Sequence, residues 1–260
     1  MQQDQTQAYD QRLVTLLETL WGMGYLSPGG DAETALILDG LDLAGTRVLD
    51  IGCGTGGSAF FIAERCKPAL IIGIDVEAGV IAKANQQASR DGLAEHVRFQ
   101  TVAPGPLPFA DAAFDVVFSK DAIVHIDDKH AIAREIHRVL KPGGVFAASD
   151  WMAGADTPPS PGLERYLALE GLGFGLGSPD RYFAALRAAG FERIAFRDRT
   201  VWYGDLARKE LAALTGPLHA TLEASVGRDF LDHEIDVWRA MVAVLDTAEL
   251  GPGHWRASKP

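Results

Sequence analysis

Val48-Leu49-Asp50-Ile51-Gly52-Cys53-Gly54-Thr55-Gly56-Gly57 is the stretch whose residue types and spacing could do chemistry. An apolar run ending in such glycines reads as a strand feeding a turn that opens a helix. Glycine tolerates positive φ and lets backbone approach a ligand closely, and a helix N-terminus offers free N–H groups. Asp50, two residues before the first glycine, is placed to face a ligand's ammonium group. Asp75 ends the next apolar run, Leu70–Asp75, 19 residues beyond Gly56. A carboxylate there can accept two hydrogen bonds from ribose hydroxyls. Gly52, Gly54 and Gly57 also fit the GxGxxG spacing of nicotinamide-dinucleotide sites, a weak signal alone. Asp50 and the motifs further along the chain argue against that reading.

Seven histidines are present. His125 is singled out because it follows the apolar run Phe114–Ser119, at the carboxyl end of a strand, where open α/β sheets bind ligands. Imidazole titrates near neutrality and so suits a general base. His96, His130, His137, His219, His233 and His254 read as surface or helix residues. Asp121 either faces a substrate ammonium or caps the following turn. Cys53 reads as a small residue filling a tight turn, and Cys66 as inert; two cysteines make neither a disulfide framework nor a zinc site, and no metal is expected.

These residues need elements to position them. Leu13, Leu16, Leu17 and Leu20 predict an amphipathic helix over 8–23, after a polar, frayed 1–7, and a second helix follows over 31–40. Strands are expected at 47–51, 70–75, 97–99, 114–119 and 145–149, with helices over 58–65, 78–90 and from Asp127 or Asp128 to Leu140. Lys141-Pro142-Gly143-Gly144 stops the last of these. Strands alternating with helices predict right-handed βαβ units and a parallel sheet. Beyond 150 the pattern loosens: a loop over 151–162, a helix over 163–171, a glycine-alternating flexible loop to 177, a helix from Pro179 to Ala189, a strand from Phe191 to Thr200, helices over 205–223 and 229–247, and a closing strand over 255–258. The division is an N-terminal helical segment (1–41), an α/β core (42–150), and a remainder (151–260) carrying helical insertions at about 151–178 and 204–248.

Composition narrows the partners. The chain has 260 residues, 47% hydrophobic, with 24 basic and 35 acidic side chains and a net charge of −11. Lys and Arg are scattered, which disfavours phosphate backbones and anionic membranes. No basic and apolar leader opens the sequence, and no 18-residue apolar window exists. A cytoplasmic location and a small-molecule partner are expected; oligomeric state is not readable.

The glycine motif, then Phe114-Asp115-Val116-Val117, then Leu140-Lys141-Pro142-Gly143-Gly144 resemble, in that order, the class I S-adenosylmethionine methyltransferases. Trp21-Gly22-Met23-Gly24-Tyr25-Leu26-Ser27-Pro28-Gly29-Gly30 and Ser119-Lys120-Asp121-Ala122-Ile123-Val124-His125-Ile126 resemble, more narrowly, the phosphoethanolamine N-methyltransferases. Glycine- and sarcosine-type N-methyltransferases also look similar. The resemblance implies a doubly wound, seven-stranded, mostly parallel sheet with a helical cap. It implies S-adenosylmethionine as cofactor, giving S-adenosylhomocysteine, held by Leu26, Ser27, Asp50, Gly52, Cys53, Gly54, Gly56, Asp75, Val76, Ala103 and Lys120. Ala103 stands where many relatives carry an acid for the adenine amino group. His125 and Tyr9 match a catalytic pair of that family.

The acceptor side departs from the family. Trp151, Phe174, Leu172 and Ala240 stand where phosphate-binding phenols and cations are expected, and a dianionic phosphate without them loses its charge-assisted bonds. The expected acceptor is an amine and not a phosphobase, met by Asp121, Trp151, Phe174, Leu172 and Trp238. Tyr166, Trp202 and Tyr203 are further aromatic candidates, since rings stabilise ammonium groups; Arg165, Arg181 or Arg239 would serve a carboxylate-bearing acceptor. The alternatives are a sugar or secondary-metabolite O-methyltransferase, and a protein that binds S-adenosylmethionine without turnover.

Overall fold

The computed structural model describes residues 9–260; the expected frayed segment and the first residue of the first helix lie outside them. A sheet of seven strands runs in the order β3-β2-β1-β4-β5-β7-β6. Its strands are β1 (Arg47–Ile51), β2 (Leu70–Asp75), β3 (Val97–Thr101), β4 (Phe114–Lys120), β5 (Leu140–Ala153), β6 (Glu192–Asp198) and β7 (Leu250–Ser258). β1 through β5 pair in parallel, and β7 runs antiparallel between β5 and β6. This is the expected doubly wound, mostly parallel sheet.

Helices α1 (Gln11–Trp21) and α2 (Gly30–Leu38) precede the sheet, and α3 (Gly57–Cys66), α4 (Ala78–Arg90), α5 (Lys129–Val139) and α7 (Pro179–Ala188) flank it. α6 (Pro161–Glu170), α8 (Thr200–Leu214), α9 (His219–Val226) and α10 (Arg228–Asp246) build a cap with α1. Capping follows from local chemistry: the Asp10 carboxylate accepts from the N–H groups of Arg12 and Leu13, and Asp128 from that of Ala131, which satisfies donors a helix start leaves open. Two apolar cores lie on opposite faces of the sheet, one under α5 and α7 and one under α2, α3 and α4; a third fills the cap.

Three expectations are corrected. The helix expected over 205–223 is two helices, because Gly216 and Pro217 interrupt it and proline has no N–H to continue the ladder. β5 and β7 are longer than expected. β5 takes in Lys141–Gly144 as an irregularity, its pairing with β4 shifting register between Phe114 and Val116. β7 begins at Leu250, and its Gly251-Pro252-Gly253, turn-like in sequence, pairs with Met152, Trp151 and Asp150. A side chain at Gly253 would collide with Phe196, and one at Gly251 with Thr200. Those glycines thus serve close packing, not a turn. Finally, His254 is not a surface residue: it is buried on β7, with Nε2 2.7 Å from Glu33 Oε1.

Candidate active site

β1 and β4 are neighbours whose chain connections leave in opposite directions. A crevice opens at the carboxyl ends of such strands, and a cavity of about 860 Å³ lies there. Asp50, on β1, is buried, and its Oδ2 has no hydrogen-bond partner among the described residues. Burial, and then the nearby Asp75 charge, push its carboxyl up to about 7, against the pull of Lys120. A ligand ammonium group would supply the missing partner. Gly52, Cys53 and Gly54 line the same wall. Gly52 and Gly54 adopt φ of 71° and 53°, a region that costs other residues roughly 1–2 kcal/mol. Asp75 Oδ2 accepts from Gly54 N–H at 3.0 Å and Oδ1 from Glu77 N–H at 3.0 Å, which orients the carboxylate toward the cavity that Val76 and Ala103 also border. Burial raises the Asp75 carboxyl despite those bonds.

Gly56 does not border this cavity. It caps α3 at φ 96°, and a Cβ there would meet Phe60 and Phe99 at 2.8 Å. It shapes the turn from behind, outside the lining of this cavity. Lys120 borders the cavity, yet its ammonium is committed to protein: Nζ donates to Ser27 Oγ at 2.5 Å and Pro28 O at 2.8 Å, and pairs with Asp121 Oδ2 at 3.3 Å. Two of its three donors therefore hold the segment joining α1 to α2. The same segment is held at its other side. Gly57 N–H donates to Gly24 O at 2.9 Å, and Glu18 accepts from Gly24 N–H at 3.1 Å and from Lys83 Nζ at 2.9 Å. Leu26 and Ser27 are thereby set against the glycine turn.

A second, smaller cavity of about 70 Å³ adjoins the first; Tyr9, Leu26, Ser27, Asp121, His125 and Leu172 border both. Trp151, Phe174 and Trp238 border it as well, as do Tyr166 and Tyr203. Trp202, Ala240, Arg165, Arg181 and Arg239 are not among its lining residues. Arg181 instead donates to the carbonyls of Leu176 and Asp127, and Arg239 pairs with Asp236. Trp202 lies under the Arg199 guanidinium at 4.2 Å.

His125 ends a 3-10 turn, Ile123–His125, that three partners grip. Asp150 accepts from Val124 N–H at 3.0 Å, Lys129 Nζ donates to the Ile123 and Ile126 carbonyls, and Gly175 N–H donates to Val124 O at 2.8 Å. Tyr182 completes the support by donating its hydroxyl proton to Asp150. The expected glycine-rich loop thus packs onto the turn. His125 Nδ1 lies 3.4 Å from Gly173 O. A carbonyl only accepts, so this contact favours the proton on Nδ1 and leaves the Nε2 lone pair free. Burial lowers the His125 pKa, against the pull of the Gly173 and Leu172 backbone. Tyr9 borders the same space and is kept a neutral phenol by burial first and Glu170 second. No hydrogen bond joins Tyr9 to His125 among the described residues. Asp121 adopts φ 57° and accepts from Ser149 Oγ.

Sequence reasoning missed several residues here. Trp21, Glu170, Glu234 and Met241 border the small cavity. Glu210 sits behind it, accepting from Trp21 Nε1 at 2.6 Å, Trp238 Nε1 at 3.0 Å and Tyr203 OH at 3.2 Å. One signal was present: Glu234 falls among Leu231, Ile235, Trp238 and Met241 on the apolar stripe of α10, where a charge is out of pattern.

A class of protein follows from a seven-stranded sheet with an orphaned carboxylate over a glycine turn, and the comparisons agree on it. A family model described as a methyltransferase domain matches residues 42–164. Sarcosine/dimethylglycine N-methyltransferase of Halorhodospira halochloris is 34% identical over 201 residues, 73% of this chain and 69% of that protein. Phosphoethanolamine N-methyltransferase 3 of Arabidopsis thaliana is 36% identical over 198 residues, 76% of this chain but 39% of that protein. Haemonchus contortus phosphoethanolamine N-methyltransferase 2, solved in complex with S-adenosyl-L-methionine, superposes with a TM-score of 0.90 at 24% identity, over 99% of this chain and 59% of that one. The chain belongs to the class I S-adenosylmethionine-dependent methyltransferases. It spans about half or less of the length of the plant phosphoethanolamine relatives it matches. Those relatives lend no support to the expectation that a phosphobase is excluded. Among the described residues no helix is long and apolar enough to cross a membrane.

Proposed function

We propose that the chain transfers a methyl group from S-adenosylmethionine to the amine nitrogen of a small acceptor. The observation that carries the reading is the junction of the two cavities at Asp121 and His125. On one side stands a carboxylate lacking a partner, Asp50, with the ribose-competent Asp75; on the other stands an aromatic chamber. Asp50 would hold the ligand's ammonium group, Asp75 its ribose, and Gly52, Cys53 and Gly54 its flank. The bound cofactor supplies an electrophilic methyl carbon on a sulfonium. This chain's part is to orient the amine, exclude water and take its proton. His125 Nε2, in the favoured tautomer, is the proton acceptor, and Tyr9 closes the site beside it.

The amine preference rests on the acceptor cavity. Aromatic rings surround it and its lining includes Asp121, Glu170 and Glu234 but neither Lys nor Arg. Such walls favour an ammonium group by cation–π attraction and charge, and offer a phosphate dianion no cationic partner. The test has two stages. Calorimetry with S-adenosylhomocysteine should give saturable heat; none would remove the cofactor assignment. A donor-turnover assay across amines, hydroxyl acceptors and phosphoethanolamine should then favour amines. A preference for phosphoethanolamine or for hydroxyls would overturn the acceptor reading.

A further inference from the structure

Two carboxylates border the acceptor cavity with no cationic partner among the described residues. Glu234, on α10, is 8% exposed, and Glu170, at the end of α6, is half-buried. Both border the cavity, and neither makes a hydrogen bond or ion pair among the described residues. The contrast with Glu210 is instructive. That carboxylate lies nearby and receives three side-chain donors, from Trp21, Trp238 and Tyr203. The cap therefore satisfies one buried acid fully and leaves two open toward the same space.

An uncompensated buried carboxylate costs several kcal/mol, and two close together repel. Burial pushes Glu170 up to about 7, while burial, then Glu170 and Asp10, push Glu234 up to about 8. The other titratable groups facing the pair are Asp10 and Tyr9 ahead of α1, Tyr166 on α6 and Tyr203 on α8; Asp121 and His125 border the same cavity after β4. Asp121 differs from the pair, since Lys120 and Ser149 already engage it. Asp121 and His125 also border the cofactor cavity, whereas Glu170, Glu234, Tyr166 and Trp238 border only the smaller one.

We infer that the acceptor carries a second cationic nitrogen, which Glu170 and Glu234 bind while the reacting nitrogen lies at Asp121 and His125. The ligand class is a short diamine, or an amine with a second basic nitrogen. The inference rests on the proposed amine methylation and goes beyond it. A second ammonium would complete the two open acids with charge-assisted bonds, and the aromatic frame would hold the carbon spacer.

The test uses the full chain loaded with S-adenosylhomocysteine and titrated with 1,3-diaminopropane, 1,4-diaminobutane, 1,5-diaminopentane and n-butylamine. The best diamine should bind at least tenfold more tightly than n-butylamine. Glu234→Gln and Glu170→Gln should each erase most of that difference, while Asp236→Asn, on the exposed face of α10, should leave it. Binding measured near pH 7 in buffers of different ionisation heat should show net proton release with the diamine and less in Glu234→Gln. Equal affinities for diamines and n-butylamine, or a preference that survives both glutamine variants, would overturn the inference. The broader reading is judged separately: methyl transfer to monoamines with no diamine preference would sink only the two-cation acceptor, whereas no transfer to any amine would sink the amine reading itself.

Discussion

Gly57 N–H donates to the carbonyl of Gly24 at 2.9 Å, so the segment between α1 and α2 meets the start of α3 backbone to backbone. A Cβ at Gly57 would stand 2.6 Å from that carbonyl oxygen, and one at Gly24 2.9 Å from Gly57 Cα. The glycine turn and the 22–29 segment that faces it are thus one packed unit.

Gly57→Ala should push the 22–29 segment off the turn. Forced local strain of about 1–3 kcal/mol corresponds to a loss of affinity of about 5- to 150-fold for S-adenosylhomocysteine by calorimetry. Gly45→Ala, whose Cβ would meet nothing within 4 Å, is the control and should leave affinity unchanged.

Lys120→Met should release Ser27 and Pro28 and leave the Asp121 carboxylate without its cation. Breaking a buried pair by removing one partner costs about 3–5 kcal/mol. The expected signs are a lower Tm, faster proteolysis within 22–29, and weaker S-adenosylhomocysteine binding. Unchanged cleavage of that segment would show that Lys120 does not hold it.

Under the proposed reaction, kcat should fall as pH drops through the His125 pKa, which burial places below the usual 6.5. The neutral form accepts the proton, so activity belongs to the side above that pKa. His125→Ala should lower kcat by about 10²–10⁴-fold and abolish the acid limb. A limb that survives the substitution would assign it to another group.

Arg199 forks onto Glu33 at 2.8 and 2.7 Å, and His254 approaches the same carboxylate. Burial raises the Glu33 carboxyl, but the His254 and Arg199 bonds outweigh it and hold it below its usual value. A depressed acid stabilises above its unfolded pKa, and that contribution is lost as pH falls through the folded one. Glu33→Gln should therefore flatten the acid limb of Tm against pH below about pH 4.5. Arg199→Met should destabilise at neutral pH by about 3–5 kcal/mol.

Glu234 has the opposite sign. With its carboxyl raised to about 8, its contribution is most favourable below its unfolded pKa and is lost as pH rises through the folded one. In the ligand-free protein, Tm should fall between pH 5 and 9 more steeply than in Glu234→Gln. Parallel curves would show that Glu234 is not held in an apolar setting.

The cofactor half was legible because its signals are local. Val48–Gly57 carries a strand, an acid and a glycine turn within a few residues, Leu70–Asp75 is a strand ending in an acid, and the sheet could be read from alternation alone. The cap was harder. Glu170 and Glu234 are 64 residues apart in sequence and meet only when α6 packs on α10. Only the end of β7 was legible, because Gly251-Pro252-Gly253 carries no strand signal of its own, whereas the crowding of Phe196 and Thr200 that demands small residues is set by tertiary packing. Asp150 and Lys129 were overlooked for the same reason: their partners, the Val124 N–H and the Ile123 and Ile126 carbonyls, are backbone groups with no signature in sequence.

β6 bonds to the sheet only through β7, and α8, α9 and α10 are strung between those two strands. A ribosome releasing this chain would therefore deliver β1 to β5 with β6 still unpaired. The acidic chamber would form only once α10 had emerged, and the last sheet edge only after more than fifty further residues. Long-range closure of this kind is slow, and a waiting strand edge is prone to pairing with a foreign one. Nascent chains stalled between β6 and β7 would be the species most dependent on chaperones.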